Sequence, residues 1–131
     1  KLYKKNCASC HIEPFFTNNQ FENNGLFVDS LLNDYGRYGI TKNPNDSLKF
    51  KVPTLRNIEF SYPYMHDGRF TTLEQVVEHY NSGGHFSSTV DPLMKKLGVG
   101  LQLTNQQKQD LVAFLKTLSD TDFITNPDFT P

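Results

Sequence analysis

A chain of 131 residues is one domain or a piece of a longer protein. With 37% hydrophobic residues it has little apolar material for a core of its own, and its 13% aromatic content, all Phe and Tyr, suits packing against a planar apolar group. A formal charge of −1 and the lack of any basic run give no sign of a nucleic-acid partner, and no apolar stretch is long enough for membrane insertion.

In chain order, Leu2 and Tyr3 stand at helical spacing before Cys7, so Lys1–Cys10 reads as the last turns of a helix. Ile12 to Gly25, rich in Asn, Phe and Pro, reads as loop. Leu26–Asp46 reads as mostly irregular, with a short helix near Ser30–Tyr35. FKVPTLRN (50–57) starts extended, and Pro53 prevents it from continuing as a paired strand.

Two helices are clear. Thr71 with Glu74, or Thr72 with Gln75, forms a capping box. Leu73, Val76, Val77 and Tyr80 follow at i, i+3, i+4 and i+7, and Gly83-Gly84 ends the helix. The second helix starts at Thr104 with Gln107 three residues on, and buries Leu111, Phe114, Leu115 and Leu118. Asp120 and Asn126-Pro127 mark its end and a tail. A shorter helix is predicted around Pro92–Leu97, with Gly98 as its stop. With no repeat and no strand alternation, the class is mainly α with long loops.

The chemistry sits at the start. Cys7-Ala8-Ser9-Cys10-His11 is C-x-x-C-H, the attachment pattern of a c-type haem. Two thiols one helical turn apart reach two vinyl groups on one porphyrin edge, and the adjacent imidazole falls beneath the iron. A zinc half-site is the competing reading, but zinc takes four ligands and the chain has only 2 cysteines. A thioredoxin-like pair would want a strand–helix setting that is missing here. The expectation is one covalent haem c, held by Cys7, Cys10 and His11.

The sixth iron position decides what such a haem does. Met65, Met94, Tyr80, His66, His79 and His85 are the candidates. Periodicity favours Tyr80, which lies on the apolar stripe of its helix and needs a partner for its hydroxyl. Loop chemistry favours Met65, in a Pro/Tyr-rich stretch. His79 falls at the edge of the stripe and reads as surface, and His85 beside Gly83-Gly84 reads as solvent-facing. His66 and Asp67 read as loop-stabilising hydrogen-bonding residues, with acid–base catalysis by His66 the lesser reading.

CASCH, GRYGITKN (36–43), FKVPTLRN, PYMHDG (63–68), LEQVVEHY (73–80) and LTNQQKQDLVAFLKTL (103–118), taken together and in this order, resemble the C-terminal haem domain of the bacterial di-haem cytochrome c peroxidase and MauG family. The resemblance covers most of the chain. It implies a mainly α, cytochrome c-like helical domain with long loops around one covalent haem. It also implies that residues 1–131 are a single c-type haem domain, one half of a two-domain di-haem protein whose N-terminal haem domain is its partner. The start at Lys1, so close to the motif, carries the same expectation. The implied role is periplasmic electron transfer, from a small electron-donor protein toward the N-terminal haem, where hydrogen peroxide is reduced. The parent protein would then be a peroxidase-type oxidoreductase to which this chain supplies one haem. A stand-alone electron-transfer cytochrome c is the alternative, and a module that merely holds haem is a third reading.

The resemblance also assigns residues. In the peroxidases a Met stands fourteen residues after the histidine matched by His66; MauG-like members have Tyr there, and here the position is Tyr80. Met65 matches a position usually filled by Phe, which makes it the second choice. Arg37 and Arg56 match arginines of the family pattern and are expected to pair with haem propionates. Backbone carbonyls of Ser61 and Pro63 match ligands of a calcium ion (Ca2+) between the domains, a site that would be partial without the other domain.

Overall fold

The computed structural model describes residues 1–94 and 99–129. Helix α1 is short, Leu2–Asn6, and passes through turns into Cys10. Two two-residue strands follow at long range: β1 (Phe21–Glu22) pairs antiparallel with β2 (Phe50–Lys51), in the register Phe21 to Lys51 and Glu22 to Phe50. The extended start of FKVPTLRN is β2, which ends before Pro53, whereas β1 is too short for alternation to show in the sequence.

The helix predicted at Ser30–Tyr35 is absent. The Asp29 and Asp34 carboxylates accept the N–H groups of Leu31 and Gly36, and Asn33 and Gly36 take left-handed backbone at φ 47° and 59°. These local bonds compete with a helix and win. Helical turns form later, as α2 (Tyr38–Thr41) and a 3₁₀ turn at Pro44–Asp46 capped by Asn43. The helix predicted around Pro92–Leu97 is a turn at 92–94; residues 95–98, Gly98 included, lie outside the described residues.

Helices α3 (Leu73–Ser82) and α4 (Asn105–Lys116) form the helical half. Both carry complete capping boxes. Thr72 accepts from the Gln75 N–H while Gln75 accepts from the Thr72 N–H, and Thr104 and Gln107 do the same. Gly83 closes α3 in left-handed backbone at φ 86°. Gly100, at φ 59°, lies so close to α3 that an added Cβ would sit 1.5 Å from the Asn81 carbonyl oxygen. This approach lets Leu101 N–H reach that carbonyl and Leu103 N–H reach the Asn81 side chain. The chain then turns directly into α4.

The core is Leu73 and Val77 of α3, Leu111, Val112 and Leu115 of α4, Tyr3 of α1, and Leu55, Ile58 and Tyr64 between them. Phe114 is half-buried and packs its ring 4.7 Å from Tyr3. Val112 is the buried residue that the predicted stripe left out. Beyond α4, Asp120 does not simply end a helix: it accepts from Phe123 N–H and caps α5 (Thr121–Ile124). Among the described residues no helix is long and apolar enough to cross a membrane.

Candidate functional site

The C-x-x-C-H segment is a tight turn seated on α1. Cys7 N–H donates to the Tyr3 carbonyl, and both Cys10 and His11 N–H donate to the Cys7 carbonyl, at 3.2 and 3.0 Å. The Tyr3 hydroxyl, on the core side, donates to the His11 carbonyl. The thiols are half-buried and unpaired. Burial, and next the neighbouring Cys10, push the Cys7 thiol up to about 11. Burial also raises Cys10; Ser9 opposes this, while Asp91 and Glu22 add to it. A redox or metal-binding pair is instead expected to have depressed thiols. Among the described residues no group of three His, Cys, Asp or Glu side chains comes together to hold a bare metal ion.

His11 is locked in one tautomer. Its Nδ1 lies 3.1 Å from the Phe16 carbonyl oxygen and 3.2 Å from that of Pro53. Carbonyls only accept, so Nδ1 carries the proton and Nε2 keeps a free lone pair. Burial lowers the imidazole pKa, with the two carbonyl bonds opposing, and keeps the ring neutral. This is the second-shell arrangement that orients a metal-ligating histidine and raises its basicity. The segments that carry these carbonyls are in turn held, one residue earlier in each, by threonine straps: Thr17 Oγ1 donates to the Val52 carbonyl and Thr54 Oγ1 to the Phe15 carbonyl, each at 2.6 Å. FKVPTLRN therefore serves as the shelf behind His11. Unpaired neutral thiols beside a neutral imidazole with a free Nε2 fit a covalently held haem.

Tyr80 is half-buried on α3, on the flank of His79. Burial raises its pKa, the polar Asn24 side chain opposes this, and the charges of Cys7 and Cys10 add to the rise. Met65 meets Asn24. It has left-handed backbone at φ 71°, and its sulfur lies 3.5 Å from Asn24 Nδ2. The loop that carries it is closed by Tyr64 N–H to the Phe70 carbonyl and by the Tyr64 hydroxyl to the Ile58 carbonyl.

His79 is not at the surface as predicted. It is half-buried, its Nε2–H donates to the Asn24 carbonyl at 2.9 Å, and its ring meets Tyr80 edge-on. Burial lowers its pKa, so the ring is neutral. The periodicity of α3 sees only the helix's own stripe, whereas the 23–25 loop covers this flank.

The other candidates lie apart. His85 is exposed, as expected. His66 is exposed and stacks on the Phe50 ring at 3.7 Å instead of hydrogen bonding; Asp67 does bond, accepting from the Arg69 backbone and guanidinium. Met94 sits on the 92–94 turn, its N–H on the Asp91 carbonyl. The Arg37 guanidinium pairs with Asp46 at 3.3 Å and lies over the Phe21 ring. Arg56 is exposed, next to the Thr54 strap. Ser61 and Pro63 are exposed on the loop after Phe60. The sequence reading missed Asn24 and Arg69, the latter half-buried and lining a shallow cleft with Phe27, Asp29, Ser30 and Leu31. Asn24 lies in an Asn-Asn-Gly run that signals only a loop.

A small helical core that backs a tightly turned C-x-x-C-H segment defines a c-type cytochrome domain, and the family model for cytochrome c matches residues 1–119. The chain belongs to the cytochrome c family, which implies a covalent haem c and a role in haem electron transfer. Within that family it is similar to cytochrome-c peroxidases and MauG. It is 34% identical to cytochrome-c peroxidase IdrP1 of Pseudomonas sp. (strain SCT), over 95% of this chain and 39% of that protein. It is 36% identical to the methylamine utilization protein MauG of Methylorubrum extorquens, over 88% of this chain and 31% of that protein. The crystal structure of a MauG-like protein associated with microbial copper homeostasis superposes with a TM-score of 0.82 and 35% identity, over 98% of this chain and 48% of that one. The chain thus spans less than half the length of each of these relatives.

Proposed function

We propose that this chain is the electron-transfer haem domain of a periplasmic two-haem peroxidase or MauG-like protein. In that setting it relays electrons from a small donor protein toward an N-terminal haem domain where hydrogen peroxide is reduced. The observation that carries the reading is a tautomer-locked His11, its Nε2 lone pair unused, in one tight turn with the two unpaired thiols of Cys7 and Cys10. Tyrosine in that role favours oxidised iron, as suits a MauG-like protein, whereas methionine suits a high-potential relay.

The residues divide the work. Cys7 and Cys10 tether the haem, which supplies reversible one-electron chemistry when bound. His11 ligates through Nε2, its basicity raised by the Phe16 and Pro53 carbonyls. Tyr80 would hold the iron together with His11, and Met65 is the second choice. Of the two arginines, Arg56 is the better partner for a haem carboxylate, because Arg37 already pairs with Asp46. The carbonyls of Ser61 and Pro63 contribute to a calcium site completed by the other domain.

The test is Tyr80→Phe in the haem-loaded protein. Loss of the wild-type ferric absorption spectrum and spin state is expected, and an unchanged spectrum overturns the assignment. Peroxide turnover by the full-length parent, lost when His11 is replaced, separates the relay from a stand-alone electron carrier.

A further inference from the structure

We propose that Tyr3 is a positioning residue for His11: its hydroxyl, on the His11 carbonyl, keeps the imidazole aligned with the two carbonyls behind it. The inference rests on the reading of His11 as the iron ligand and adds the group that sets its direction.

Packing alone does not call for a tyrosine at this position. Tyr3 is 4% exposed, and its ring lies 4.7 Å from that of Phe114 and 5.8 Å from that of Phe16. Phenylalanine would fill the same space. A phenol in a core has to deliver its hydroxyl to a partner, and this one goes to the main-chain carbonyl of His11. Tyr64, the other buried tyrosine among the described residues, sends its hydroxyl to Ile58 instead.

Tyr3 meets both ends of the attachment turn. Its carbonyl accepts Cys7 N–H at 2.8 Å and Ala8 N–H at 3.2 Å, where the turn begins. Its hydroxyl holds His11, where the turn ends. Its ring packs on Phe16, whose carbonyl accepts from His11 Nδ1 at 3.1 Å. Phe16 has left-handed backbone at φ 54° and packs against the core, so the seat of its ring governs where that carbonyl points. One side chain thus braces the main chain of His11 and one of the two acceptors of its ring. His11 N–H is on the Cys7 carbonyl at 3.0 Å, which leaves Nε2 as the polar atom of His11 still unengaged.

The Nδ1 proton is shared between the Phe16 and Pro53 carbonyls, at 3.1 and 3.2 Å. A shared N–H serves both acceptors only while the ring keeps one direction, because hydrogen bonds weaken steeply off line. Together the two acceptors raise the basicity of Nε2, and a more basic ligand favours oxidised iron. Without the Tyr3 hydroxyl the His11 carbonyl loses its partner, the peptide is free to turn, and the ring loses its alignment.

The experiment is Tyr3→Phe in the haem-loaded protein, read by potentiometry with thermal melting alongside. Phenylalanine keeps the ring and the main-chain carbonyl and removes only the donor. 4-Fluorophenylalanine at position 3, close to tyrosine in shape and without a donor, stands in if the phenylalanine variant does not fold. The expected result is an upward shift of the midpoint potential. 4-Aminophenylalanine at the same position returns an N–H donor and should bring the potential back toward the wild-type value. Phe114→Leu loosens the same packing but leaves the hydroxyl; it should lower the melting midpoint and move the potential less than Tyr3→Phe does. A wild-type potential without the hydroxyl overturns the proposal, as does a shift that Phe114→Leu equals or that the amino analogue does not reverse. His11→Ala is run alongside. If that variant keeps the wild-type spectrum and potential, the ligand reading itself fails and Tyr3 positions nothing. If it loses them while Tyr3→Phe retains both, only the role of Tyr3 fails.

Discussion

Helices α3 and α4 and the loops that carry His11, Asn24 and Met65 are built from different bonds. The helical half is closed by apolar side chains, with both helix starts capped within four residues of sequence. The loop half is closed at long range by short polar side chains on main-chain carbonyls, such as Thr17 on Val52, Thr54 on Phe15 and Thr89 on Ser47. Burial of apolar surface is non-directional and sets stability, whereas hydrogen bonds are directional and set where a carbonyl or an amide points. Apart from Tyr80 on α3, groups that must meet a ligand at a fixed angle are accordingly found in the second half.

The largest break in this comparison comes from the core. Leu115→Ala is expected to cost about 2–5 kcal/mol of unfolding free energy, the range for deleting a buried leucine. The fraction that stays folded should keep its ferric spectrum, and combined denaturant and absorption titrations check both. A smaller loss is expected from Thr54→Val, about 1–2 kcal/mol for the bonds of its hydroxyl to the Phe15 carbonyl and from the Arg56 N–H. This change should also move the chemistry: a loosened Phe15–Phe16 segment weakens the carbonyl behind His11, lowers the basicity of the ring and raises the midpoint potential. Potentiometry that gives an unchanged potential would break the link between strap and imidazole.

The smallest effect is in acid. Burial alone would raise the Asp67 carboxyl, but the Arg69 bonds outweigh it and hold the folded-state pKa below the ordinary value. The stability this pair lends is therefore present above the unfolded value of about 3.9 and lost as pH falls through the folded one. Asp67→Asn should flatten that acid arm in pH-dependent melting and change little above it.

The two halves were unequally legible for the same physical reason. Capping boxes and 3.6-residue stripes are local, so Thr72, Thr104 and Gly83 marked helix ends correctly, and Tyr80 was found on its stripe. The supports of His11 are the carbonyls of Phe16 and Pro53, a group that every residue carries, so no residue type announced them. Asn24 was hidden among asparagines that read only as loop. His79 was misread because its partner, the Asn24 carbonyl, lies 55 positions away. The Ser30–Tyr35 helix failed to an Asx competition that the same aspartates, Asp29 and Asp34, could have signalled.

The threonine straps are one-sided in what they demand. Thr54 must present a hydroxyl, but its acceptor is the main chain of Phe15, a residue that is 63% exposed. In a saturation library selected for haem incorporation, Phe15 should tolerate most replacements other than proline. Position 54 should be enriched in threonine and serine.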